Sequence, residues 1–164
     1  RRYQKEEKIN RLAVKGIDVL VEAARRIPAI PVTVVGVDAR FIPGLDPPSN
    51  VTFLPRVPRA ELLAHYRSAK VYCQPSRREG LPNALCEAML CGCIPVASDA
   101  GGSVHAVGDT GFIVPAGDTG ALADALRLAV AAAAVRGDQA RSRIERLFPL
   151  EGRKADLPDL LSLL

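Results

Sequence analysis

The sequence predicts an α/β protein: a doubly wound, Rossmann-like parallel sheet with helices on both faces. Three observations predict it. Short β-branched runs alternate with helix-patterned segments, joined by short connections, as in βαβ units. The residues are 48% hydrophobic but only 4% aromatic, without Trp, so the core must be aliphatic, which suits parallel strands covered on both faces. The length of 164 residues is that of one ordinary domain, large enough to bury a core.

Five strands are expected, each β-branched and bounded by Gly, Pro or Asn: residues 31–36 (PVTVVG), 51–54 (VTFL), 70–75 (KVYCQP), 94–98 (IPVAS) and 111–115 (GFIVP). A weaker one precedes Arg11, at "KIN". Helices fall between them. In residues 16–27, Ile17, Leu20, Ala24 and Ile27 form one apolar stripe. Residues 59–69 repeat the pattern with Leu62, Leu63 and Tyr66. A third helix opens at Pro82, suited to a first turn, and stops at Gly92, with Ala84, Leu85, Ala88 and Met89 on its buried side. An alanine-rich helix is expected over 119–136 and a last one over about 138–147; the tail from 150 to 164 breaks the pattern.

The net charge of +4 comes from scattered residues. Nucleic-acid binders carry a dense basic stripe, with aromatics where single strands are held; a small anionic ligand fits better. Cys73, Cys86, Cys91 and Cys93 show no C-x-x-C spacing, and only His65 and His105 could complete a metal site. They read as small buried residues in a reducing compartment. No signal peptide is visible, and no apolar run reaches the roughly 18 residues that span a membrane; the expectation is cytoplasmic. The chain opens in charged residues without Met, which reads as a piece of something longer.

Ligands of open α/β sheets bind where strands end and helices begin. The loop "PSRREGLPN" sits at such an edge. The first amides of the following helix lack internal partners and carry partial positive charge, so a phosphate is a natural guest, and Gly80 lets the backbone approach it. Glu79 lies in the loop and Glu87 just inside the helix. A carboxylate near a helix N-terminus is comfortable for stability alone; it is also the usual partner of ribose hydroxyls in this fold class.

The run EGLPNALCE, residues 79–87, resembles the E-x7-E motif of GT-B glycosyltransferases, in particular the retaining glycosyltransferase family 4 (group 1). The segments NRLAVKGIDVLVEAARRI, VTFLPRVPRAELLAHYRSAKVYCQPS, GCIPVASDAGG and GFIVPAGDTGALADAL resemble that family's others in the right order, over about residues 9–135. The resemblance implies a C-terminal, donor-binding domain over residues 1–149, and a tail that packs on another domain or stays disordered. Its substrate would be a nucleotide-sugar (a UDP-, GDP- or ADP-sugar), and an N-terminal domain would hold the acceptor. Arg11 and Lys15 match the residues that hold the donor diphosphate, where cations stabilise the leaving charge. Glu79 matches the sugar contact, and Gly80, Leu81, Pro82 and Asn83 the turn that cradles phosphate or sugar, although Pro82 has no N–H to give. Glu87 matches the ribose ligand; Arg56 and Val57 are candidates for the base. No D-x-D stands ready for a divalent cation, so neither metal nor cofactor is expected, and nucleic acid is not an expected partner. Peripheral membrane association of the full-length enzyme is compatible with this reading. Pro55 stands where relatives often carry Gly, His105 where they carry Glu, and Arg11 and Lys15 are four apart rather than about five. Arg77 and Arg78 fit either phosphate contacts or a solvated charge run. The fragment by itself is expected not to turn over. The alternative is a catalytically silent nucleotide-binding or scaffold domain of the same fold.

Overall fold

The computed structural model describes residues 12–80 and 82–149. The expected strand at "KIN" and the tail lie outside them. Helix α1 spans Ile17–Arg25, β1 Val32–Val35, β2 Val51–Leu54, α2 Arg59–Ser68, β3 Val71–Gln74, α3 Asn83–Leu90, β4 Ile94–Ser98, α4 Ser103–Val107, β5 Phe112–Val114, α5 Thr119–Ala131 and α6 Val135–Leu147. The described strands form two parallel sets. β1 pairs with β2, Val32 opposite Val51. In the order β3-β4-β5, Val71 lies opposite Ile94 and Val96 opposite Phe112.

Strand β4 explains the layering. All five of its residues are buried, as expected of a parallel strand covered on both faces. Ile94 and Val96 point into one aliphatic cluster with Leu20 of α1, Val34 of β1 and Leu122 of α5. Ala97 points into the other, with Leu85 and Met89 of α3, Val107 of α4 and Ile144 of α6. The first cluster contains residues of both strand sets, so one core holds them. Pro95 is tolerated within this strand. The Ile94 amide bonds to the Lys70 carbonyl at 2.9 Å on the β3 side, so the missing N–H of Pro95 faces β5, whose pairing starts only opposite Val96.

Helix α1 turns its apolar side inward as its stripe predicts, with Leu20, Ala24 and Ile27 buried and Glu22, Arg25 and Arg26 exposed. Asn50, just before β2, closes its C-terminal end: Nδ2 donates to the carbonyls of Ala24, Ile27 and Ile30 at 3.1, 3.1 and 2.9 Å. Asp118 caps α5 by accepting from the Ala121 amide at 2.9 Å.

Four expectations change. The alanine-rich helix stops at Ala131, because Ala132 is extended, and α6 starts at Val135, earlier than expected. Close packing accompanies this start: a Cβ on Gly137 would run into the Gly92 carbonyl, so α6 presents this glycine to the end of α3. Helix α4 and two short 3-10 turns, Ala39–Phe41 and Pro43–Leu45, carry no periodic signal and went unpredicted. Pro82 precedes α3 as its N-cap rather than standing inside the first turn. Ile17 and Ala84 are only partly buried. Among the described residues no helix is long and apolar enough to cross a membrane.

Candidate functional site

Parallel strands bring their C-terminal loops to one edge. There β3 ends at Gln74 and leads through a short loop to α3. Lys15 and Glu79, 64 positions apart, meet in this region: Lys15 Nζ donates to Glu79 Oε2 at 2.7 Å. The same oxygen accepts from Gln74 Nε2 at 2.7 Å and Ser76 Oγ at 3.1 Å. Gln74 Oε1 accepts from the Tyr72 hydroxyl at 3.4 Å, which turns the amide so that Nε2 faces the carboxylate. The Ser76 carbonyl in turn accepts from Ser98 Oγ on β4. The Glu79 side chain is 11% exposed and that of Lys15 56%, so a lodged carboxylate is met by a cation reaching in from solvent. Partial burial pushes the Glu79 carboxyl up. The bond and charge of Lys15, with Ser76 and Gln74, outweigh it and hold the group below the usual glutamate range.

Glycines bring the backbones together. Gly16 is left-handed, φ 68°, and a Cβ on it would run into the Pro75 carbonyl. Gly101, also left-handed, packs on the Glu79 carbonyl and Gly102 on that of Gly80, to which the Gly102 amide donates at 3.0 Å. The chain therefore needs those glycines for its own packing. Gly80 differs: a Cβ there would meet nothing, so the space over the turn is open to a ligand. Buried Pro82 and exposed Asn83 follow at the start of α3, whose first amides have no acceptor within the helix.

Glu87 projects toward α2, where Arg59 Nη1 lies 3.2 Å from its Oε1. Arg59 opens α2 directly after the loop that carries Arg56, exposed, and Val57, half-buried. The ion pair thus draws the β2 loop to the flank of α3. Arg77 is committed elsewhere, to Asp18, with Nη1 and Nη2 donating to Oδ1 and Oδ2 at 2.8 and 2.7 Å. A shallow cleft of about 440 Å³ beside this pair is lined by Ala13, Val14, Arg77 and Arg78. His105 contributes its carbonyl, which accepts from Arg143 Nη2 at 2.7 Å. Arg11 and Leu81 lie outside the described residues. Among the described residues no group of three or more His, Cys, Asp or Glu side chains is gathered.

The structure thus joins Lys15, Glu79 and the Gly80 turn in one place, and places Glu87 on the same helix as that turn. It adds Gln74, Ser76, Asp18 and Arg59, which sequence reasoning missed as members of the site, and commits Arg77, weighed there for phosphate or a solvated charge run, to Asp18. Gln74 alone carried a signal, a polar residue ending an apolar strand.

Residues 8–131 match the family described as "Glycosyl transferases group 1". The chain belongs to the group 1 glycosyltransferases. A D-inositol 3-phosphate glycosyltransferase of Mycobacteroides abscessus is 37% identical to this member over 128 residues, 69% of this chain and 28% of the relative. A phosphatidyl-myo-inositol mannosyltransferase of Mycobacterium leprae is 43% identical over 97 residues, 57% of this chain and 25% of the relative. The chain therefore spans little more than a quarter of these curated relatives. The sucrose-phosphate synthase of Thermosynechococcus elongatus superposes with a TM-score of 0.82 at 31% identity, covering 92% of this chain and 42% of that one. Anabaena HepE, solved with UDP and glucose, superposes at 0.78 with 24% identity, covering 93% of this chain and 46% of its own, a likeness of fold. These neighbours are GT-B enzymes, and the single Rossmann-like α/β unit expected from the sequence is the one observed.

Proposed function

We propose that this group 1 glycosyltransferase chain is the donor-binding part of a retaining, metal-independent enzyme. It would hold a nucleotide-sugar at the edge where its strands end. The observation that carries this reading is the Lys15–Glu79 pair: a flexible cation and a lodged carboxylate 2.7 Å apart beside an open glycine turn and a helix start. In this reading Lys15, with Arg11, neutralises the diphosphate as the glycosidic bond breaks. The turn from Gly80 through Leu81 and Pro82 to Asn83, together with the first amides of α3, receives phosphate or sugar. Glu79 bonds sugar hydroxyls, Glu87 bonds the ribose once Arg59 gives way, and the Arg56–Val57 loop borders the base. The acceptor would sit on a further domain, and four cysteines without C-x-x-C spacing suit a reducing, cytoplasmic setting. The nucleotide and sugar held by the Anabaena relative support the class of ligand.

Calorimetric titration with UDP, GDP and ADP tests the reading. One nucleotide should bind, and Lys15→Ala and Glu87→Ala should each weaken it about tenfold or more, as expected for loss of one bond to a charged group. Failure of all three to bind would favour a silent scaffold of the same fold. A Glu87→Ala chain with unchanged affinity would remove Glu87 from the ribose.

A further inference from the structure

Lys15 poses a physical problem. Its side chain is 56% exposed, and ordering a free lysine in one rotamer costs up to about 2 kcal/mol. A lone ion pair near the surface gains no more than about 1 kcal/mol. Holding the backbone on either side of Lys15 narrows the positions that its ammonium can reach.

Arg77 does this from both sides of Lys15. Its amide donates to the Val14 carbonyl at 2.8 Å. Its Nη1 donates to the Ala13 carbonyl at 2.5 Å while the guanidinium grips Asp18 with both prongs. Residues 13, 14 and 18 bracket Lys15, and Arg77 stands two residues before Glu79. The fork of an arginine on a carboxylate fixes orientation as well as distance. Asp18 lies in the first turn of α1, where a carboxylate is stabilised further. The bond to Arg77 is the main cause that holds the Asp18 carboxyl below its usual range.

We propose that the Asp18–Arg77 pair is a positioning clamp: it pins the loop carrying Lys15 to the loop carrying Glu79 and so presents the Lys15 ammonium against the Glu79 carboxylate. The consequence for donor binding rests on the reading of Lys15 as the diphosphate cation. The geometry of the clamp does not.

The test follows the Glu79 carboxyl by ¹³C NMR, assigned with Glu79→Gln, in the unaltered chain and in Asp18→Asn and Arg77→Ala. Removing the Asp18 charge would by direct electrostatics make Glu79 easier to ionise. Loosening Lys15 does the opposite. The clamp predicts that the Glu79 titration midpoint rises in Asp18→Asn, toward the usual glutamate value, in a chain that remains folded by circular dichroism. It rises in Arg77→Ala as well. If Arg77→Ala does not fold, Arg77→Lys, which keeps the charge and loses the fork, takes its place. A midpoint that stays or falls in folded Asp18→Asn overturns the proposal. In parallel, Asp18→Asn should weaken UDP binding about tenfold, roughly one charge-assisted contact, and leave uridine binding unchanged. A raised midpoint in chains that never bind UDP keeps the clamp and rejects the donor reading.

Discussion

At Glu79 one oxygen takes the bonds from Lys15, Gln74 and Ser76. Gln74 is buried and its amide is committed at both ends. Gln74→Leu should cost about 1.5–3 kcal/mol, the usual loss when a bond to a charged group is removed, measured by urea unfolding at neutral pH. The pH dependence has a definite sign. The Glu79 carboxyl is lowered in the fold, so the unfolded chain binds its proton more readily. Its stabilising effect is present above the usual glutamate value, 4.5, and is lost as pH falls through the lower folded value. The unaltered chain should therefore lose stability relative to Glu79→Gln as pH drops below 4.5. A difference that stays constant across that window would show that Glu79 gains nothing from its three donors. Glu79 and Lys15 could be singled out from the resemblance in their segments. The pairing of Asp18 with Arg77 could not, because 59 positions separate them and Asp18 looks like an ordinary surface charge.

Among the elements, those with strong periodicity formed where the pattern placed them. Strands β2 and β4 cover the expected residues; for β2, Asn50 and Pro55 on either side leave little choice of boundary. Helix α4, with five residues, is too short to show a period. The break between α5 and α6 was illegible because alanine continues through it. Beyond the break, α6 seats Gly137 against Gly92, a contact between distant segments. Gly137→Ala should therefore lower the melting temperature, although helix propensity by itself favours Ala by about 1 kcal/mol. A stabilised chain would refute the close approach. The Asn50 cap is a second such case. Asn50→Ala removes a donor shared by three carbonyls at and just past the α1 end and should cost about 1–3 kcal/mol in chemical denaturation.

For the whole molecule, the two strand sets share one aliphatic cluster in which α1 and α5 pack together. Leu122 of α5 is fully buried there. Leu122→Ala should cost about 2–5 kcal/mol and still give a single cooperative transition by calorimetry and by circular dichroism. Two separate transitions would mean that the strand sets are independent units. The same architecture bears on activity. The chain spans 28% of its inositol-phosphate relative, so by itself it should bind nucleotide without transferring sugar, and measurable transfer by the isolated chain would overturn that expectation.

Local patterns in the sequence were enough for the α/β class, the order of the strands and the longer helices, and the family. Hydrophobic period, turn residues and motif spacing are local properties that a linear chain displays directly. The tertiary structure decided which partners surround the site: Gln74 and Ser76 on Glu79, Arg59 on Glu87, and Asp18 gripped by Arg77. Gln74 and Ser76 reach Glu79 within one short segment, but Arg59 with Glu87 and Asp18 with Arg77 join segments far apart in the chain, and no local pattern encodes such a meeting.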